Sequence, residues 1–116
     1  MKLLTEQQAA RMLANGRYNA DHPERPNDYR PVVKLFCPWG GATWLLTELD
    51  PECPDIAFGL CDLGFGCPEL GSVSLSEVQS VSGPGGLRIE RDLHFSADKT
   101  LSAYADEARA AQRIIA

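Results

Sequence analysis

Ala42-Thr43-Trp44-Leu45-Leu46-Thr47-Glu48-Leu49 is the stretch on which the fold turns. It is rich in β-formers, contains no glycine or proline, and sits between two turn signals, Gly40-Gly41 and Asp50-Pro51, so it reads as a strand. On its N-terminal side, Val32-Val33-Lys34-Leu35-Phe36-Cys37 has the same character and stops at Pro38. The two runs are close enough to form a hairpin. On its C-terminal side, Asp55-Ile56-Ala57-Phe58-Gly59-Leu60-Cys61-Asp62-Leu63 is a third strand, with Ile56, Phe58 and Leu60 on one face. Gly64, Gly66 and Pro68 mark the next turn, and Leu70 to Leu75 reads as a short fourth strand with Val73 and Leu75 inward. Connections this short cannot carry the crossovers that parallel strands need. The sheet is therefore expected to be a mainly antiparallel meander.

The most regular alternation in the chain comes later. After the turn Ser82-Gly83-Pro84-Gly85-Gly86, the residues Leu87, Ile89, Arg91, Leu93 and Phe95 alternate with Arg88, Glu90, Asp92 and His94. That pattern predicts a fifth strand with one face toward solvent. Between these strands, Leu75 to Val81 is ambiguous: Val78 and Val81 fit a helical turn that Ser76 would cap.

Helices are predicted at both ends. Thr5 at the N-cap and Gln8 three residues on form a capping box, with Leu4 and Ala9 as a weak staple. Met12 and Leu13 supply an apolar face, and Asn15-Gly16 is a C-terminal stop signal. Residues 18–31 are polar, carry Pro23, Pro26 and Pro31, and read as a loop. At the other end, Leu101, Tyr104, Ala105, Ala108 and Ala111 have helical spacing, with Thr100 as N-cap, Asp106 and Glu107 early, and Arg109 and Arg113 late. The expectation is one α+β domain over residues 1–116: a four- or five-stranded sheet with an N-terminal and a C-terminal helix, both covering its apolar face.

Composition narrows the function classes. A chain of 116 residues buries roughly 65% of its extended surface when folded, enough to need no disulfide or metal. No apolar run approaches the ~20 residues that span a bilayer. The opening Met1-Lys2-Leu3-Leu4-Thr5-Glu6 turns polar at once, unlike a secretory signal. A cytoplasmic protein with reduced thiols is expected. Cys37, Cys53, Cys61 and Cys67 include no C-x-x-C pair, so neither a zinc ribbon nor a redox pair is encoded locally. No metal or cofactor is expected.

Charge is the most informative functional feature. Residues 1–34 hold six Lys/Arg and four Asp/Glu, and residues 86–116 hold five of each sign. Residues 35–85 hold no Lys or Arg at all against Glu48, Asp50, Glu52, Asp55, Asp62, Glu69 and Glu77, and the whole chain carries −5. Such a segment repels nucleic-acid phosphates and attracts a basic protein surface. With Trp39 as an exposed aromatic anchor, the expected contact residues are Trp39, Glu48, Asp50, Glu52, Asp55, Asp62 and Glu69. The same charges also serve as plain solubilising groups.

Other motifs are weak. Asp50-Pro51-Glu52-Cys53-Pro54-Asp55 is dense in carboxylates but lacks the glycine and terminal glutamate of a calcium loop. Cys61 lies beside Asp62, and acidic neighbours raise a thiol's pKa. Gly59, Gly64 and Gly66 are followed by no lysine and form no phosphate cradle. A small ligand-binding domain or enzyme would instead require Trp44, Glu48, Asp62 and His94 to converge in one pocket.

From Pro31 to Tyr104 the wording resembles one family. Pro31-Val32-Val33-Lys34-Leu35-Phe36, the run Gly41 to Pro51, the run Asp55 to Gly64, Pro68-Glu69-Leu70-Gly71, Val73-Ser74-Leu75 and Glu90-Arg91-Asp92-Leu93-His94-Phe95 carry the likeness. It is the bacterial domain-of-unknown-function family numbered 2958. The resemblance implies no catalytic residues. It implies cargo of plasmids and integrative elements, often near anti-restriction genes. The expected function is a non-catalytic inhibitor of a host restriction or CRISPR complex. It would engage a basic surface of a host protein or nucleoprotein, without direct nucleic-acid or membrane contact.

Overall fold

Trp44, Leu45 and Leu46 are consecutive, so they project to both sides of a strand and need cover on both. The computed structural model, which describes residues 3–116, supplies that cover. Met1-Lys2, part of the polar opening discussed above, lies outside the described residues. The elements are helix α1 (Glu6–Asp21), strands β1 (Val33–Phe36), β2 (Thr43–Leu49), β3 (Ile56–Asp62) and β4 (Glu69–Ser74), a short helix α2 (Leu75–Ser80), strand β5 (Glu90–Arg91) and helix α3 (Leu101–Ala111). The sheet is antiparallel with order β4-β3-β2-β1-β5. Its first four strands are the expected meander, and β5 returns to pair with β1.

The helices do not share a face, which corrects the sequence reading. Met12 of α1 and Val78 of α2 join Val33, Leu35, Trp44, Leu46, Leu49 and Ala57 in one core. Leu101, Tyr104, Ala105 and Ala108 of α3 join Leu45 and Leu60 in another, on the opposite side. The sheet is the middle of three layers.

Three other expectations need correction. Helix α1 runs past Asn15-Gly16 to Asp21. Gly16 is not a stop but a contact: it is buried, and a Cβ there would overlap the Leu49 carbonyl oxygen. The capping box itself is present, with Gln8 N–H donating to Thr5 Oγ1 at 3.0 Å and Thr5 N–H to Gln8 Oε1 at 2.9 Å. The cap of α2 is Ser74, whose hydroxyl accepts from Glu77 N–H, and not Ser76.

The third correction concerns residues 87–95, where only Glu90–Arg91 pair as a strand. Ile89 packs in the core beneath α1 and α2, Phe95 packs against the α3 core, and Leu87 and Leu93 are exposed. The segment wraps around the edge of β1 from one face of the sheet to the other. Its alternation reflects that crossing, not one wet and one dry face.

The loop before β1 is irregular but tied down. Asn27 N–H donates to Asn19 Oδ1 at 2.8 Å, Leu101 N–H donates to the Tyr29 carbonyl at 2.8 Å, and Val32 N–H donates to the Leu46 carbonyl at 2.9 Å. Thr100 makes no side-chain cap bond to α3. Asp28 caps it from the loop, accepting from the Ser102 backbone N–H at 3.1 Å and from the Ser102 hydroxyl. Burial pushes the Asp28 pKa up, but the hydrogen bonds from Ser102 and Thr100 outweigh it and hold the carboxyl below its ordinary value.

Three substitutions test these contacts. Gly16→Ala should cost about 2–3 kcal/mol in urea unfolding, the scale of an overpacked core site. Gly71→Ala, whose added Cβ meets nothing within 4 Å, should change stability by less than about 1 kcal/mol. Asp28→Ala should cost ~1 kcal/mol at pH 7, as for other lost caps. Because the folded pKa is the lower one, that difference should shrink as pH falls below ~4, the ordinary aspartate value. Melting curves of both proteins across pH 3–7 measure it.

Candidate functional site

The pairing of β2 with β3 shifts register between Leu46 and Glu48. A bulge of this kind frees backbone groups and re-aims side chains. Helix α1 collects both consequences. Asn15 Nδ2 donates to the freed Thr47 carbonyl at 2.9 Å, and Asn19 Nδ2 donates to Glu48 Oε2 at 2.7 Å. Glu48 thus stands half-buried in the wall of a cleft of about 300 Å³, lined also by Gly16, Asp50, Phe58 and Ser72. Burial raises its pKa, and the Asn19 hydrogen bond offsets only part of that.

This cleft opens beside β4, the outer strand of the sheet. Leu75 N–H donates to the Asp55 carbonyl at 2.8 Å. Hydrogen-bonded pairs alternate along an antiparallel ladder. Val73 opposite Ala57 and Gly71 opposite Gly59 therefore bond inward to β3, while Leu70 and Ser72 direct N–H and C=O outward. Strand β4 has six residues and carries no proline or lysine, the usual devices that blunt an edge. The opposite edge is β5, only two residues long. The open edge is bracketed by carboxylates: exposed Glu69 at its start, Asp55 and Glu77 at its end.

The other expected contact residues divide. Asp50 lines the cleft and closes its turn by accepting from Glu52 N–H at 2.9 Å, and Glu52 is exposed. Asp55 is exposed but occupied. Its Oδ2 accepts from the Ser74 and Ser76 hydroxyls at 2.7 and 2.9 Å, and Oδ1 accepts from Ser76 N–H at 2.9 Å. Those bonds, the Ser74 hydroxyl first, lower its pKa.

Two of the expected residues do not belong to the acidic surface. Asp62 is 2% exposed, and its oxygens accept from Gly64 N–H at 2.8 Å and Ile114 N–H at 3.0 Å. It pins the C-terminal segment to the sheet. Trp39 is half-buried against Gly83, where a Cβ would overlap the indole, so it is packing and not a free anchor.

The alternative pocket does not form. Glu48 pairs with Phe58 and Asp62 with Thr43, about 13 Å apart along β3 at ~3.3 Å per residue. Trp44 is in the core on the α1 side, whereas Asp62 reaches Ile114 on the α3 side. His94 is exposed beyond β5, its N–H donating to Asp92 Oδ1 at 2.9 Å. All four cysteines are free, and burial pushes the Cys61 thiol up to about 11. The thiol is dulled by desolvation rather than by its acidic neighbour. Among the described residues, no group of three His, Cys, Asp or Glu side chains is placed to hold a metal ion, and no helix is long and apolar enough to cross a membrane.

The sequence reading missed Asn19 and Ser72 as walls of the cleft. The one signal for Asn19 was its spacing of four from Asn15, which puts both amides on one helical face. Ser72 gave none.

Glu48 also carries a test of the site's electrostatics. Its folded pKa is raised, so its neutral form is favoured in the fold, and the stability this confers fades as pH rises through that pKa. Glu48→Gln should match the parent protein near pH 4 and become the more stable of the two toward pH 7. Chemical denaturation at both pH values measures the crossover.

No curated protein and no solved structure matches the chain. A family described as protein of unknown function (DUF2958) matches residues 3–115. That span is nearly the whole sequence, and the chain belongs to this family.

Proposed function

We propose that the protein is a non-catalytic binding protein that engages a basic partner surface through its acidic middle segment. The observation carrying this reading is the pairing of an open β4 edge with an acidic cleft, in a segment without one Lys or Arg between residues 35 and 85. An extended partner segment adds to the edge through Leu70 and Ser72, the mode known as strand addition. Its Lys or Arg side chains meet Glu48, Asp50 and Glu52 at one end and Glu69 at the other. The burial of Glu48 strengthens an ion pair there relative to one in open solvent.

The resemblance to proteins carried by plasmids and integrative elements suggests the partner class. A host restriction or CRISPR effector presents a Lys- and Arg-rich channel for nucleic acid, and an acidic protein seated in it competes with phosphate. In this reading the protein is an anti-defence inhibitor in the host cytoplasm, and it touches no nucleic acid itself.

The test uses purified effector complexes of the host and the full-length protein. Expected is a stoichiometric complex that dissociates as salt rises and that blocks DNA binding by the effector. Glu48→Gln, Asp50→Asn, Glu52→Gln and Glu69→Gln combined should abolish it, and Ser72→Pro should do so separately by removing an outward N–H. Asp55 is kept because it holds the start of α2 through Ser74 and Ser76. A complex indifferent to both variants would remove the reading.

A further inference from the structure

The acidic cleft is not the molecule's one concavity with a consistent chemistry. On the other side of α1, a cleft of about 460 Å³ is formed by three separate segments. Helix α1 contributes Arg11 and Asn15, the loop before β1 contributes Tyr29, Arg30 and Val32, and the chain after β5 contributes Phe95 to Ala97. No carboxylate is in its lining. Among the described residues, neither the Arg11 nor the Arg30 guanidinium makes an ion pair or a hydrogen bond, although acids outnumber bases in this chain by 16 to 11. Two guanidinium groups without carboxylate partners thus line the wall of one cleft.

The geometry points to a phosphate monoester of mononucleotide size as its ligand. A planar guanidinium offers a fork of donors that matches two oxygens of a phosphate or carboxylate. Two forks, from two segments, suit a group with three terminal oxygens and close to two negative charges. A single carboxylate would use one fork and leave the other. A volume of about 460 Å³ falls within the range of small-molecule sites, which is roughly 300–1,000 Å³. Tyr29 and Phe95 add ring surface for the organic part, and Ser96 adds a hydroxyl.

The site is also pre-arranged. Arg30 is in a loop without regular structure, yet the backbone around it is fixed at Asn27 by Asn19, at Tyr29 by Leu101 and at Val32 by Leu46. Asp28, two residues before Arg30, is held by Ser102. The backbone part of the ordering cost is therefore largely met before a ligand arrives. Asn15 donates from its side-chain amide to the Thr47 carbonyl. The site and the acidic cleft thus share the α1–β2 contact but no charged residue.

Titration calorimetry of the full-length protein with AMP, against succinate and adenosine, tests the assignment. Expected is binding of AMP, weaker or absent binding of the other two, and loss of about tenfold or more in affinity for Arg11→Gln or Arg30→Gln alone, the scale of one charge-assisted contact. Both arginines are exposed, so these variants should melt as the parent does, which thermal unfolding checks. Arg11→Lys with Arg30→Lys should keep attraction for the anion but bind it less tightly than the parent. Succinate bound as well as AMP, or AMP binding unchanged in the glutamine variants, would overturn the proposal. Neither result bears on the acidic edge.

Discussion

Helix α1 lies on the backbone of β2, and that close approach organises the molecule. It is possible only because residue 16 is glycine, with the Leu49 carbonyl oxygen where a side chain would begin. Helices normally stand about 10 Å from a sheet because side chains separate the layers. Here the separation collapses at one point, and the neighbouring helical positions Asn15 and Asn19 come within hydrogen-bonding distance of Thr47 and Glu48. The bulge in β2 is stabilised by those bonds, because a carbonyl released from a ladder must find another donor. Glu48 is held at the rim of the core for the same reason. Remove the glycine and both the bulge and the cleft lose their partner.

The second constraint is electrostatic. An acidic chain ordinarily spreads its few cations among its carboxylates, and here Lys34, Lys99 and Arg109 pair with Asp92, Glu107 and Asp106. The remaining carboxylates are handled otherwise. Asp28, Asp50, Asp55 and Asp62 each accept backbone N–H groups at helix starts and turns. Backbone donors thus take the role that lysine and arginine usually fill. This leaves the Arg11 and Arg30 guanidiniums on one flank, and Glu48, Glu52 and Glu69 without a cationic partner on the other. Separation of sign across α1 is a consequence of how the backbone is capped.

The sheet was legible in the sequence because β1, β2 and β3 each carry apolar runs bounded by glycine or proline, and both signals are local. The N-terminal capping box was legible for the same reason. What could not be read was whatever depended on a distant neighbour. Asn15-Gly16 has the wording of a helix end, and only the presence of Leu49 turns it into a contact. The alternation of residues 87–95 has the wording of a half-wet strand, yet Ile89 and Phe95 serve different cores. Asp62 was indistinguishable from Asp50 as a surface acid, because the donor that buries it, Ile114, lies 52 residues away. Of the acidic residues, Glu48 and Asp50 line the cleft, and Glu52 and Glu69 are exposed. Asp62 is buried and Trp39 half-buried, and burial is a property of the assembled fold.

The two edges of the sheet show how specificity and exposure are divided. An open edge is an aggregation hazard unless something discourages self-pairing. At β5 the discouragement is brevity. At β4 there is neither lysine nor proline, and the strand is long enough to accept a partner. What remains is charge: Glu69, Asp55 and Glu77 lie at both ends of the edge, so a second copy of the same chain would bring like charges together, and their repulsion is not relieved by any cation in the segment. The same arrangement that rejects a copy of itself favours a segment of opposite sign. An edge guarded only by acids is therefore selective by construction, since the residues that oppose self-association are the ones that recruit a basic strand.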